Sequence, residues 1–427
     1  MPTLTRKQNV AIVDAYSGGR NLIPAFQAIG YPVIHIQSGE VPTLFVKDNE
    51  LARRRADQHV VFTDDVDDLV RTLRAASVTL VLPGSEGGVL LADRLASMLD
   101  LPFRNEVALS TARRNKFYMQ ERLREVGLPC ITHTKVADVD QLDSWLETHG
   151  KYPVVVKPLQ SAGTEAVSIC HSRDEARNAL DTVLSAPDMF GNANNEALCQ
   201  ELLVGHEYVI NGIACQGQYA YTEGWRSDKV DNGGYPVYDT QYLFYVGDPG
   251  FDEISQYVAD VCRALGIMNG PFHAEVMLTP AGPILIEIAA RVAGGADPYV
   301  IESCLGHSQI SQLVVASLHA ERYLMQTAVQ AIDRPFQRAA YIYLIAISAG
   351  HVRRVQLEDF LEVEGVLCVD YHYAEGDRQE MTRDLITSAG VVIVTAADSG
   401  RLDAAVQSVR EIEHAMYEAN VEPLHVP

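Results

Sequence analysis

Residues Pro271 to Gly295 read PFHAEVMLTPAGPILIEIAARVAGG, two alternating runs on either side of Pro280-Ala281-Gly282. The break suits a three-residue hairpin loop with glycine in the left-handed position. With that loop, facing residues carry numbers summing to 562, and Glu275 lies opposite Glu287. Like charges directly opposite one another in an antiparallel pair are destabilising, so such a pair needs a compensating cation, which a divalent metal can supply. Alternation places Ile284, Ile286 and Ile288 on one face, read as core, and Leu285, Glu287 and Ala289 on the other with His273 and Glu275. Arg291 follows in the same parity, and Gly294-Gly295 let a backbone or ligand come close. An exposed hairpin whose glutamates merely face water fits the same letters, and the rest of the chain has to decide.

The 427 residues suggest about three domains on length alone. With 47% hydrophobic and 21% charged residues, the chain builds ordinary globular cores. A formal charge of −22 argues against nucleic acid or an anionic membrane as the main partner, since both reward a basic surface. It does not forbid phosphates in a locally basic cleft. The seven cysteines are scattered, odd in number and without a CxxC pair, as expected of reduced thiols in a cytoplasmic protein. No signal peptide or spanning apolar run is visible.

From Asn9 the chain alternates strand-like and helix-like runs (VAIVD, NLIPAFQAIG, YPVIHIQ, HVVFT, DDVDDLVRTLRAASV, TLVLPGSEGG), the pattern of a doubly wound α/β sheet. Ser17-Gly18-Gly19 lacks GxGxxG spacing and reads as a tight turn rather than a dinucleotide site. Glu86 lies just beyond a strand's carboxyl end, where such sheets bind ligands, and equally well complements a helix dipole. Lys116 sits near the start of a basic helix. Val154-Val155-Val156-Lys157 is a buried-type strand ending in lysine, followed by PLQSAGT, a loop whose N–H groups can close over phosphates. A lysine snorkelling at a sheet edge fits those residues too. QELLVGHE carries Glu201 and Glu207 around Leu203 and Gly205 in a strand-turn-strand. Trp225 to Pro249 is loop-rich and aromatic and suggests a mobile lid or substrate loop over a cleft. The segment from Arg334 shows no catalytic constellation and reads as a small α+β cap.

Taken in order, these pieces resemble the ATP-grasp superfamily across essentially the whole chain, and among its members the L-amino-acid ligases that make dipeptides. The resemblance implies an N-terminal α/β domain (1–110), an ATP-grasp lid subdomain (111–205), a catalytic subdomain (206–333) and a C-terminal α+β domain (334–427). It implies that Lys116 and Lys157 contact nucleotide phosphates and that Ser161, Gly163 and Thr164 fold over them. Glu201 and Leu203 then meet adenine, Glu207 the ribose hydroxyls, and Glu275 and Glu287 hold Mg²⁺, or Mn²⁺ in its stead. Hard cations of this kind prefer oxygen ligands and retain phosphates and waters, so two carboxylates suffice. Many members carry Asn where this chain has Ala289, which bears on the metal count. The implied chemistry is attack of a carboxylate on ATP to give an acyl phosphate and ADP, then attack by an amine that expels phosphate. Arg291 stabilises the oxyanion, His273 orients substrate or oxyanion, and Glu86, Arg226, Gly294 and Gly295 contact substrate. A homodimer is the family expectation. Two alternatives stay open: a ligase for a non-proteinogenic amino acid or other small carboxylate in natural-product biosynthesis, and a nucleotide-binding regulator without catalysis.

Overall fold

The computed structural model describes residues 8–160, 166–188, 191–295, 297–327 and 335–423. The opening apolar runs form β1 (Asn9–Val13), β2 (Val33–Gln37), β3 (Gln58–Val61) and β4 (Val78–Pro83), parallel and ordered β3-β2-β1-β4. Helices α1 (Leu22–Ala28), α2 (Val46–Arg55) and α3 (Val66–Ala75) connect them, and α4 (Val89–Met98) follows β4. The β1 strand is apolar at successive positions because both its faces are covered. Val10 and Ile12 enter one core, Ala11 and Val13 another. The chain leaves β1 towards β2 and returns to β4 on its other side, so the crevice favoured for ligands lies at the carboxyl ends of β1 and β4.

The Ser17-Gly18-Gly19 turn serves packing, as its spacing suggests. A Cβ on Gly18 would lie 1.9 Å from the Ala293 carbonyl oxygen, and one on Gly19 1.9 Å from that of Gly84. Bare backbone therefore joins this turn to the loop that follows Arg291.

After helix α5 (Lys116–Glu125) come β5 (His133–Val136), α6 (Val139–His149), β6 (Val154–Pro158), β7 (Ser168–Cys170), α7 (Arg173–Ser185) and β8 (Ala197–Glu201). The four strands form an antiparallel sheet ordered β5-β8-β6-β7, packed on α6 and α7 through Leu142, Leu146, Ala176 and Leu180. By contrast, Met119 and Leu123 of α5 are buried in the core beneath the next sheet.

That sheet has eight strands. It begins with β9 (His206–Cys215), β10 (Gln218–Asn232) and β11 (Tyr235–Phe244), then helix α8 (Phe251–Ala264), β12 (Gly270–Thr279) and β13 (Gly282–Ala289). Helices α9 (Pro298–Leu305), α10 (Gln309–Leu318) and α11 (Ala320–Thr327) follow. The C-terminal segment supplies β14 (Arg338–Leu344), β15 (Gly350–Val352), α12 (Glu358–Leu361), β16 (Val366–Tyr371), β17 (Arg378–Gln379), β18 (Gly390–Ala396), α13 (Ser399–Asn420) and β19 (Val421–Pro423). The large sheet runs β13-β12-β9-β10-β11-β14-β18-β16, so the C-terminal segment extends the central sheet, while β17-β15-β19 form a small separate one. QELLVGHE is consequently no hairpin: its first half ends a lid strand and its second begins the large sheet.

Two sequence expectations are corrected here. Trp225 to Pro249 is mostly a long antiparallel hairpin of β10 and β11, whose alternating Trp, Tyr, Val and Leu suit a pleated, half-buried surface. The opening hairpin turns through two residues, with Thr279 paired to Gly282, and the 562 register appears only further along. A register shift between Glu275 and Val276 leaves Ile286 unpaired, bringing Glu275 opposite Glu287 and Val276 opposite Leu285. Leu285 therefore turns into the core with Ile288, while Ile284 pairs with Met277.

One buried ion pair joins the N-terminal domain to the central core. The Arg113 guanidinium, fully buried, lies 2.6 Å from Asp93 of α4 and donates to the carbonyls of Leu265 at 2.8 Å and Glu106 at 2.9 Å. Removing one partner of a buried pair strands the other, so Arg113→Met is expected to lower the unfolding free energy by about 3–5 kcal/mol in urea titrations. A loss under about 1 kcal/mol would show that this joint contributes little.

Candidate functional site

The centre of the site is the facing pair Glu275 and Glu287 on β12 and β13. Lys116 Nζ lies 3.0 Å from Glu287 Oε2. Local structure explains how it gets there. Asn115 caps α5 by accepting from the N–H groups of Phe117 and Tyr118, which starts the helix at Lys116. One turn on, Gln120 donates to the Leu285 carbonyl at 2.9 Å and fixes α5 against β13. Lys116 N–H also donates to the Leu159 carbonyl at 3.0 Å, so the start of α5 is tied to the end of β6 where Lys157 sits. Burial, with the nearby charge of Lys116, pushes the Lys157 ammonium down to about 8, against the pull of Glu287, Glu275 and Glu207. Burial acts to raise the Glu275 carboxyl, yet His273, Lys229 and Lys116 hold it below the usual carboxylate range. Among the described residues no group of three or more His, Cys, Asp and Glu forms a metal cage. Two carboxylates, partly open to solvent and flanked by lysines, fit a hard cation whose remaining ligands come from phosphate and water.

Beyond them Arg291 leaves β13 and meets Glu86, with Nε 2.9 Å from one carboxylate oxygen, while Arg114 holds the other at 2.6 Å. Burial would raise the Glu86 carboxyl, but Arg114 and Arg291 outweigh it and keep it below its ordinary range. Glu86 thus orients two guanidinium groups. Arg291 also donates to the Val292 carbonyl at 3.0 Å, which uses two of its five N–H donors on described residues. The loop after it is pinned by Gln309, which accepts from Ala293 N–H at 2.7 Å and donates to the Phe272 carbonyl at 2.8 Å. Gly294 accepts from Ser17 Oγ at 3.3 Å, and Gly295 faces open space. A polar cavity of about 700 Å³ opens beside this cluster, lined by Asp14, Tyr16, Ser38, Ser85, Arg114 and Asn194 among others. It lies over the β1 and β4 crevice, under the segment leading to β8.

His273 shares the glutamate face, as alternation requires, with Nε2 3.5 Å from Glu275 Oε1 and Nδ1 2.7 Å from Asn211 Oδ1. Glu207 is on that face too, accepting from Lys229 Nζ and Tyr238 OH, each at 2.7 Å. Glu201 differs: its carboxylate accepts from Thr132 N–H at 2.8 Å, and it pairs with Val154 on the strand face opposite Lys157. Its backbone, with half-buried Leu203, is what remains to meet a base. Arg226 lies elsewhere. It pairs with Tyr208 on the core-side face, stacks on Tyr242 at 4.8 Å and bonds Asp228, away from the glutamates. Ser161, Gly163 and Thr164 lie outside the described residues.

The sequence reading missed Arg114, Lys229, Gln200, Asn211 and Glu223. Gln200 shares the Lys157 face and leaves a buried Oε1 without a partner among the described residues. None of these had a signal in the letters: Gln200 reaches the Lys157 face through its pairing with Val155, Arg114 through its bond to Glu86, and Lys229 follows a register shift.

The geometry agrees with what known proteins show. Residues 150–298 match the model of the ATP-grasp domain. Dapdiamide A synthase of Enterobacter agglomerans is 48% identical over 98% of this chain and 98% of its own. An L-arginine-specific L-amino acid ligase of Bacillus subtilis is 22% identical over 75% of this chain and 77% of its own. An L-amino acid ligase structure from Bacillus licheniformis superposes with TM-score 0.72 at 18% identity, covering 95% and 98% of the two chains. The facing glutamates, the two lysines and the whole-length likeness together make this chain a member of the ATP-grasp ligases, enzymes that form carbon–nitrogen bonds at the expense of ATP.

Proposed function

We propose that the enzyme joins two L-amino acids into a dipeptide through an acyl phosphate, releasing ADP and phosphate. The observation that carries this reading is the juxtaposition of Glu275, Glu287, Lys116 and Lys157 with the Glu86–Arg291 pair, whose other partner, Arg114, lines the polar cavity. The lysines neutralise phosphate oxygens as the substrate carboxylate attacks the γ-phosphorus. A Mg²⁺ ion on the two glutamates would supply further charge neutralisation and alignment. Arg291, held in one orientation by Glu86, directs its remaining N–H groups at the oxygen that gains charge when the amine adds to the acyl carbon. The amine's carbon–nitrogen bond forms as the bond from that carbon to phosphate oxygen breaks. The hinge backbone at Glu201 and Leu203 would meet adenine and Glu207 the ribose, with Tyr238 and Lys229 orienting its carboxylate.

A second reading is favoured by the relative named for dapdiamide A: the carboxylate or amine partner is a non-proteinogenic amino acid or other small carboxylate of a natural-product pathway. Both readings share the activation step, and substrate identity separates them.

ADP and phosphate release measured across a matrix of amino-acid pairs is expected to show turnover that depends on two partners. ATP binding without any amine- or carboxylate-dependent release would sink the ligation reading in favour of a regulator. Hydroxylamine in place of the amine is expected to give a hydroxamate of whichever partner is activated.

Glu287→Gln is expected to cut kcat by at least about 10²-fold while leaving the melting temperature within a few degrees. Full Mg²⁺-dependent turnover in that variant would mean the facing glutamates do not hold the cation. Because Lys157 is pushed down to about 8, its cationic form is lost in the free enzyme as pH rises through that value. ATP affinity, followed by calorimetry, should therefore weaken by up to about tenfold between pH 7 and about pH 9. Lys157→Arg should flatten that dependence, since a guanidinium stays charged throughout; an unchanged slope would assign it to another group.

A further inference from the structure

The Lys229 and Tyr238 side chains that hold Glu207 stand where the large sheet is only two strands wide. Among the described residues, β10 pairs with β9 as far as Ser227, opposite Glu207, and β11 pairs with β14 at Thr240 to Tyr242. Beyond those points, from Lys229 to Tyr238, the hairpin runs on with no third strand beside it. It closes through Gly233-Gly234, with φ of +66° and +90°, a turn that only glycine enters freely. Lys229 faces Tyr238 across this projection, its Nζ 4.3 Å from the ring centre, and both reach Glu207.

A two-stranded hairpin is marginal in water by itself, so something else must fix this one. The grip is at its tip. Val230 and Asp231 are exposed, yet Asn232, next to the turn, is 7% exposed. An asparagine beside a turn commonly bonds its own backbone. Here Nδ2 instead leaves the hairpin, donating to the Ala346 carbonyl at 3.1 Å and the Thr382 carbonyl at 2.7 Å. These belong to two loops of the C-terminal segment, themselves joined by the Thr382 N–H to the Ala346 carbonyl at 2.9 Å. A Cβ on Gly233 would lie 2.6 Å from Met381 Cε, so the turn rests on the same loop. Nearer the base, the ring of Tyr343 on β14 stands 5.8 Å from that of Tyr238.

We propose that the C-terminal segment, through its clasp on Asn232, positions the β10–β11 projection so that Lys229 and Tyr238 hold the Glu207 carboxylate in place for the nucleotide ribose. Asn232 is thus a positioning residue that touches neither nucleotide nor amino acid. The inference rests on the reading of Glu207 as the ribose acceptor. With the clasp released, the projection keeps its own ladder but loses its fixed angle to the sheet, and two donors no longer meet both oxygens of one carboxylate. A carboxylate free to turn forfeits the orientation that a pair of ribose hydroxyls needs.

The test is titration calorimetry on the full-length protein with ADP, 2′-deoxy-ADP and 3′-deoxy-ADP in the presence of Mg²⁺. The wild type is expected to bind at least one deoxynucleotide about tenfold more weakly than ADP, the size of one lost hydrogen bond to a charged group. Asn232→Leu should weaken ADP by about tenfold and bring the deoxynucleotides to within about twofold of it. Asn232→Ser, whose hydroxyl is too short to span both carbonyls, should move the same ratio if the leucine variant does not fold. Glu207→Gln should also weaken ADP, and the double variant Asn232→Leu/Glu207→Gln should bind within about twofold of Glu207→Gln alone, because the two changes act on one contact. A purely structural asparagine predicts the opposite: an unchanged ribose ratio, or losses that multiply in the double variant. Either result overturns the proposal while the Glu207 reading stands. Equal binding of all three nucleotides by the wild type, with no loss in Glu207→Gln, removes the ribose reading and the proposal together.

Discussion

Two carboxylates on adjacent strands repel each other, and much of the cleft can be understood as the arrangement that lets Glu275 and Glu287 stay ionised side by side. Neutralising charge comes from three different places: Lys116 from a helix start, Lys157 from the end of a lid strand, and Lys229 from β10, whose β10–β11 pairing shifts register just before it. None of these cations is near the glutamates in sequence. Lys116, Lys157 and Lys229 match Glu275, Glu287 and Glu207 in number, so the cleft is locally balanced inside a chain of net charge −22. A chain can be strongly acidic overall and still bind a polyanion where its few lysines converge.

Much of this was legible in the letters, and for identifiable reasons. Parity along β12 and β13 is a local property, so His273, Glu275, Glu287 and Ala289 could be assigned to one face before any coordinates. The facing of the glutamates came out correctly although the loop did not, because the two-residue turn and the later register shift offset each other. Leu285, on the far side of that shift, shows the price of missing it. Arg226 was hard to place for a related reason: aromatic and glycine content made its segment look like a loop, and only as a strand does it acquire a face, the one opposite the glutamates.

What the sequence could not reveal is contact across elements. Glu86 and Arg291 are separated by 205 positions and come together because the β1–β4 crevice abuts the end of β13. Asn211 and Glu223 are unremarkable letters in apolar strands, and only the pairing of three strands turns them into a row with His273. Glu223 stands out once its surroundings are known, since burial pushes its carboxyl up to about 7.

The contact of Gly18 with the Ala293 carbonyl has a mechanical meaning as well. Backbone meets backbone there with no side chain between. The N-terminal domain and the loop that follows Arg291 therefore meet without slack, so that a displacement of one is passed directly to the other.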